Sequence, residues 1–377
     1  MTKKSLFSAT SALVAAAFLG TPAMAGQVGS KDAMSVTLGG EFRYIVGFSD
    51  QDVSAGFGRG YRFHGDESEI VVEVSNTADN GILYGVVIEL NAGSGDVTAA
   101  DEAYAYIDSP VWGRLEMGDK GDATDSMFAE SDDILVGRAG PDGDATEFVT
   151  VGTAGIGATG NTITGEATKV VYFTPRLGGF QAGASLTPDS GVRAGAGGLT
   201  NPDNDGDFEN VIGLAANWEG KFDDAMIVLS LTGEFGEAET PAGADNLGEV
   251  ETSSVGGTLT FGGFGFGAGY VDFGEQSLTQ AAQAAGADAG SYWTVGGSYN
   301  SGPWGVSLNW FESTKSNTTG ISDTDVTLIS LDAAYTVAPG WDLAAALHVL
   351  SADNINATAA PVNNDGTVFL ISNQFTF

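Results

Sequence analysis

The chain has no cysteine. Disulfides therefore hold nothing together, and 377 residues are enough to bury a core without such staples. Basic residues are scarce too: 14 Lys+Arg stand against 49 Asp+Glu. That balance excludes nucleic acid as a natural partner. Only two histidines occur, His64 and His348, and neither sits in an H-x-x-x-H pattern, so no zinc site is expected. Beyond the first 25 residues no run of about twenty apolar residues appears, which excludes a transmembrane helix.

The first 25 residues form a unit of their own. Lys3 and Lys4 are followed by a small apolar stretch with Leu13, Val14, Phe18 and Leu19, then by Ala23-Met24-Ala25. Charge, apolar core and A-x-A site in that order predict a cleaved signal peptide over residues 1–25 and an exported chain starting at Gly26. Without Lys3 and Lys4 the balance becomes 12 basic against 49 acidic residues, a formal −37. Such a chain concentrates cations in any water-filled space that it lines. Glycine is abundant, at 56 residues, yet the mean hydropathy is only +0.04 and 10% of residues are aromatic. Strands with one apolar and one polar face average to such values; a helical membrane protein scores higher, and a disordered chain lacks the aromatics.

Alternation is explicit along the chain. Val36, Leu38, Phe42, Tyr44 and Val46 oppose Thr37, Glu41 and Arg43. Ser68, Ile70, Val72 and Val74 oppose Glu67, Glu69 and Glu73, and Ala103, Ala105 and Ile107 oppose Glu102, Tyr104, Tyr106 and Asp108. Sixteen such segments are predicted, at about 35–48, 61–76, 81–92, 100–109, 112–119, 167–175, 178–187, 209–219, 224–236, 250–262, 264–275, 290–300, 303–314, 324–337, 340–351 and 367–377. Tight connections such as Asp79-Asn80-Gly81, Gly262-Gly263 and Ala338-Pro339-Gly340 alternate with long ones, the longest at 120–166. The boundary least marked by turn residues is Lys221-Phe222-Asp223-Asp224.

At the far end Phe369, Ile371, Phe375 and Phe377 share one face, and Ser372, Gln374 and Thr376 the other. A strand ending on Phe needs a neighbour on each edge and an apolar surround for one face. A closed membrane barrel supplies both, whereas a β-sandwich or β-helix explains neither this end nor the turn-and-loop rhythm. The expected fold is all-β: one transmembrane antiparallel barrel over residues 26–377, closed by pairing the last strand with the first. Tyr104, Trp112, Tyr172, Phe173, Trp218, Tyr270, Tyr292, Trp293, Trp304, Trp310 and Trp341 lie near strand ends, where rings form interfacial girdles or pack on turns.

Four stretches carry a resemblance. They are Asp79–Gly85 with Ile88-Glu89-Leu90, Tyr106–Asp119, Lys169–Pro188, and the strand ending at Phe377. In these the chain resembles the general porins of Gram-negative outer membranes, of the alphaproteobacterial type. The resemblance implies a sixteen-stranded barrel, a homotrimer in the lipid bilayer with its lipopolysaccharide, passing small hydrophilic solutes and ions by diffusion. It implies that Phe377 is a signal for the outer-membrane assembly machinery. It further implies that the loop after the fifth strand, about 119–166, folds inward and narrows the bore. Its acids Asp122, Asp125, Glu130, Asp132, Asp133, Asp142, Asp144 and Glu147 are the candidate constriction residues. The basic wall that faces such a loop in the family is matched by Arg43, Arg62 and Arg114. Glu41, Glu69, Glu73, Glu102 and Glu116 share the polar strand faces, so the pore is expected to be negative and cation-preferring. A solute-specific pore, for example for sugars, and a structural or adhesive barrel with partner-binding loops are the alternatives.

Other chemistry is thinly represented. No G-x-S-x-G occurs; a barrel esterase or phospholipase would need a Ser–His pair, which His64 or His348 could supply, and nothing else points to one, so no enzyme is expected. Gly155-Ile156-Gly157-Ala158-Thr159-Gly160 matches G-x-G-x-x-G but lacks the strand–turn–helix setting, so it reads as loop. Asp203, Asp205 and Asp207 offer oxygen ligands for a structural Ca²⁺ outside any EF-hand register; a solvated turn is the preferred reading, and no cofactor is expected.

Overall fold

A computed structural model describes residues 34–53, 60–93, 100–137, 145–151, 163–193, 206–240 and 246–377. The expected leader, the Gly155–Gly160 match, Asp142, Asp144, Asp203 and Asp205 lie outside those residues. Sixteen strands are found among the described residues: β1 Ser35–Gln51, β2 Tyr61–Thr77, β3 Leu83–Asn91, β4 Ala100–Ser109, β5 Gly113–Asp119, β6 Thr168–Phe173, β7 Phe180–Asp189, β8 Phe208–Phe222, β9 Ala225–Ala238, β10 Val250–Phe261, β11 Phe264–Asp272, β12 Ser291–Ser301, β13 Trp304–Lys315, β14 Thr324–Ala338, β15 Trp341–Asp353 and β16 Asn364–Thr376. Each pairs antiparallel with its sequence neighbours, and β1 pairs with β16, so the sheet is a closed barrel without a free edge. Closure runs from Glu41↔Thr376 to Gln51↔Gly366, and Gly40 and Phe377 exchange backbone hydrogen bonds of 2.9 and 3.0 Å just beyond it.

The period-2 pattern decides which face points where. Leu38, Phe42 and Tyr44 on β1, Leu229 and Leu231 on β9, Val306 and Leu308 on β13 and Phe369 and Ile371 on β16 are all exposed, whereas their alternates are buried. A closed wall that turns its large apolar side chains outward is built for hydrocarbon. Trp218, Phe180 and Phe222 pack together at the short-turn end, as do Trp341 with Phe375 and Trp304 with Tyr335. Trp293 and Trp310 stack at 6.1 Å nearer the long-loop end. Tyr104, Phe173 and Tyr292 do not join a girdle: Phe173 and Tyr292 are buried on the inner face, and Tyr104 lies beneath the Lys120 ammonium. Proximity to a strand end does not separate inner from outer rings; parity along the strand does.

Several strands run past their expected limits. β1 extends to Gln51, β15 to Asp353, and β16 starts at Asn364. The added pairs are polar, such as Ser351↔Asp365 and Asp325↔Asp353. Beyond the apolar band both faces are wet, so alternation stops while the backbone ladder continues. The weakly marked β8–β9 boundary is a two-residue hairpin closed by Phe222↔Ala225, with Asp223 at φ 51°, a conformation that Asp tolerates. The inner face also departs from simple polarity. Ile45, Leu328, Leu350, Val368 and Leu370 are buried there as one apolar cluster.

Leu231 lies midway along β9 with its side chain outward. Leu231→Arg is expected to cost about 2–4 kcal/mol in lipid vesicles. Urea titration of the folded barrel measures this, and an unchanged midpoint would mean that this face does not meet lipid.

Candidate functional site

The described parts of the long connection between β5 and β6 contact the wall strands. At its start Asp119 Oδ1 accepts the Thr168 hydroxyl at 2.5 Å, and Gly121 N–H donates to Glu102 Oε1 at 3.0 Å. The Lys120 ammonium pairs with Glu116 and lies 4.6 Å above the Tyr104 ring. Burial pushes the Lys120 pKa down, but the adjacent Glu116, with Tyr104 and Glu102, outweighs it and holds the pKa above the ordinary lysine range. Asp122 caps the short helix α1, Ala123–Met127: its Oδ1 accepts from Thr124 N and Asp125 N, both at 2.9 Å. Its Oδ2 accepts the Ser185 hydroxyl of β7 at 3.2 Å. Ala123 and Met127 then bury against Val171, Phe173 and Ala215.

From there the segment follows the wall strand by strand. Ala129 N–H donates to Ser230 Oγ of β9 at 2.8 Å. Ser131 and Thr294 of β12 share a 2.6 Å hydrogen bond, and Val136 N–H donates to Ser307 Oγ of β13 at 3.1 Å. Glu130 and Asp133 form a reciprocal capping box around a 3₁₀ turn, Ser131–Ile134, and Glu130 accepts the Tyr292 hydroxyl at 3.2 Å. Inward glycines make room for it. A Cβ on Gly256 would lie 2.1 Å from the Ala129 carbonyl oxygen, and one on Gly267 2.7 Å from Ser131 Cα. Farther on, Phe148 seats on the β1 and β16 side, where a Cβ on Gly47 would lie 2.1 Å from its ring. Thr150 follows, its N–H on Gln51 and its carbonyl accepting from Asn364 at 2.7 Å. Near the end of the segment Ile163 N–H donates to Glu234 Oε2 at 2.9 Å, and Glu166 lies 3.8 Å from Arg193. Burial raises the Glu166 pKa above the ordinary carboxylate range, and Asp101 adds to the rise.

The expected wall residues divide by partner. Arg43 pairs with Glu41 at 2.5 Å along β1. Arg114 pairs with Glu116 at 2.5 Å and Asp108 at 3.7 Å, and stacks 4.1 Å over Tyr106, whose hydroxyl donates to Glu73. Arg62 is the one that meets an expected loop acid among the described residues, Glu147, at 2.9 Å. Glu69 stands on the inner face with Glu89 and Asp101, their carboxylate oxygens within 4.8 Å of one another; three carboxylates so close are spaced as cation ligands are. Among the loop acids, Asp122 and Glu130 are buried in cap and hydroxyl contacts, Asp125 and Asp132 are half-buried, and Asp133 is exposed. Asp207 stands beside Gly191, where the loop after β7 rejoins β8. His348 Nδ1 and Ser330 Oγ are 2.8 Å apart and fully buried, and His64 meets the Phe148 ring edge-on.

Residues that the sequence reading passed over hold much of this together: Lys169, Glu234, Glu89, Phe148 and the inner serines and threonines. Parity alone places Lys169 opposite Val170 and Glu234 opposite Phe235, so their inward direction was available. The Lys120 carbonyl that meets Lys169 and the Ile163 amide that meets Glu234 come from distant loop backbone, which no local pattern announces.

A family model described as Gram-negative porin matches residues 9–354. Among solved structures the chain is similar to the anion-selective porin from Comamonas acidovorans, with a TM-score of 0.61 and 14% identity over 91% of this chain and all of that one. It is similar to the trimer form of OmpT, an outer membrane protein of Vibrio cholerae, with a TM-score of 0.59 and 15% identity over 92% of this chain and all of that one. An uncharacterized protein of Rickettsia bellii is 24% identical over 260 residues, 56% of this chain and 57% of its own length. The chain thus spans about half the length of the curated relatives that it matches.

Phe148→Ala removes the ring that fills the apolar hollow around Ile45 and Leu370, an expected loss of about 3–5 kcal/mol. The temperature at which the folded band disappears on unheated gels should fall, and an unchanged temperature would mean that the ring is not seated there.

Proposed function

The chain belongs to the Gram-negative porin family; from that premise we propose that it is an outer-membrane channel that passes small hydrophilic solutes and ions by diffusion, through a bore narrowed by residues 119–166, with preference for cations. The observation that carries the narrowing is the run of contacts from Ala129 to Ser230, Ser131 to Thr294 and Val136 to Ser307, all on polar wall faces. In this reading Asp122, Asp125, Glu130, Asp132, Asp133, Asp142, Asp144 and Glu147 line or brace the constriction. Arg43, Arg62 and Arg114 with Glu41, Glu69, Glu73, Glu102 and Glu116 form the opposite wall.

The charge arrangement supports the sign. Each wall arginine sits within 4 Å of a carboxylate, so little positive field is left over. Glu69, Glu89 and Asp101 add a concentrated negative spot. Low-dielectric walls focus that field into the water between them. The Comamonas relative is anion-selective by its name; a shared fold does not settle the sign, because selectivity lies in the side chains.

A homotrimer follows the trimer form of the Vibrio protein, and an alphaproteobacterial affinity follows the Rickettsia relatives. A cleaved leader over residues 1–25, one barrel domain over 26–377 and Phe377 as an assembly signal complete the reading. Passive diffusion needs no reaction, and the Ser330–His348 pair, buried on both sides, offers a substrate no access, so the protein is read as a channel and not an enzyme.

In planar bilayers under a KCl gradient the reversal potential is expected to favour K⁺. Glu69→Gln with Glu89→Gln should reduce the K⁺/Cl⁻ permeability ratio by roughly twofold. A reversal potential favouring Cl⁻ in the parent protein would refute the preference, and absence of conductance would refute the channel.

A further inference from the structure

Lys169 is the second residue of β6 and is 2% exposed, with its side chain on the inner face. Its ammonium donates to the Lys120 carbonyl oxygen at 2.6 Å and to the Gly165 carbonyl oxygen. Lys120 is the first residue after β5, and Gly165 lies three residues before β6. A single side chain therefore gathers the start and the end of the long inward segment. The carboxylates facing it are Asp122 from the α1 cap, Glu234 from β9 and Glu166 from the end of the segment; the cation facing it is Lys120.

The contacts around Lys169 work in the same direction. Thr168 donates to Asp119 at 2.5 Å, Gly121 N–H to Glu102 at 3.0 Å and Ile163 N–H to the fully buried Glu234 at 2.9 Å. A lysine ammonium has three donors and no acceptor, and a buried one is costly unless acceptors meet it. Neither end of the segment can withdraw without taking an acceptor from that ammonium. The β5–β6 ladder holds Asp119 opposite Thr168, and the ammonium carries that hold beyond the last rung, to Lys120 at the start of the segment and Gly165 at its end.

We propose that Lys169 is a positioning residue, a clasp that ties the start of the 119–166 segment to its end and so sets how far the segment reaches across the lumen. The inference rests on the constriction reading given above. Lys169 touches no solute; it acts through the loop. Glu234 holds the returning backbone at Ile163, and Asp122 balances the buried charge while capping the helix that leads into the bore.

The test uses the full chain in lipid, and two readouts. The sequence has no cysteine, so Thr146→Cys carries a single nitroxide on a half-exposed loop position that takes no part in the caps and contacts described above. Lys169→Met keeps the length of the side chain and removes its donors. In that variant the label is expected to become more mobile, and the mean open time under applied voltage to fall roughly tenfold, the scale of a lost charge-assisted hydrogen bond. Lys169→Arg, whose guanidinium reaches two carbonyls, should restore both readouts to within about twofold. Lys169→Gln keeps a neutral amide donor and should fall between; it serves as the second variant where Lys169→Met does not fold. Parent-like label spectra and open times in Lys169→Met or Lys169→Gln would overturn the clasp. Absence of any conductance in the parent would refute the channel reading, and the label spectra would still decide the clasp.

Discussion

The pairing of β1 with β16 is the constraint on which the rest of the structure depends. A wall in hydrocarbon has no water to satisfy a free strand edge, so every strand must find two neighbours. Once Glu41 meets Thr376 and Gln51 meets Gly366, the sheet has an inside and an outside. Period-2 alternation then sends Leu231 and Phe369 to lipid and Thr232 and Val368 inward. Inner and outer chemistry diverge from that single topological event.

Closure creates an interior, and an interior of this width has to be filled or left to water. Here described parts of the segment after β5 contact its wall. The segment after β5 finds hydroxyls on β9 and β13 for its Ala129 and Val136 amides, one on β12 for the Ser131 hydroxyl, glycines where its backbone comes close, and an apolar hollow for Phe148. Where the described parts of this connection carry only short helices, the wall supplies partners that water would otherwise supply.

Charge is organised within this frame. Acids outnumber bases so heavily that each basic side chain described on the inner wall lies beside a carboxylate or a carbonyl: Arg43 by Glu41, Arg114 by Glu116, Lys169 by Lys120 and Gly165. Two of the loop acids have named protein partners. Asp122 spends its carboxylate on a helix cap and Ser185, and Glu130 takes the Tyr292 hydroxyl. Composition counts carboxylates; it does not say which ones are already engaged.

The barrel, its strand number and the two faces of β1, β2, β4 and β16 were determined by the sequence alone. Alternation, tight Gly, Pro and Asn turns and long acidic connections are local, and burial of one face of a strand writes itself into adjacent residues. The limits of β1, β15 and β16 were blurred, because outside the apolar band that pressure vanishes. What only the tertiary structure decided is who meets whom inside. Lys169 gripping Lys120, Glu234 receiving Ile163, and Gly47 and Gly256 yielding to Phe148 and Ala129 join residues far apart in the chain. Such contacts exist only after the wall has closed and curved a distant backbone against them, so no window of sequence contains both halves.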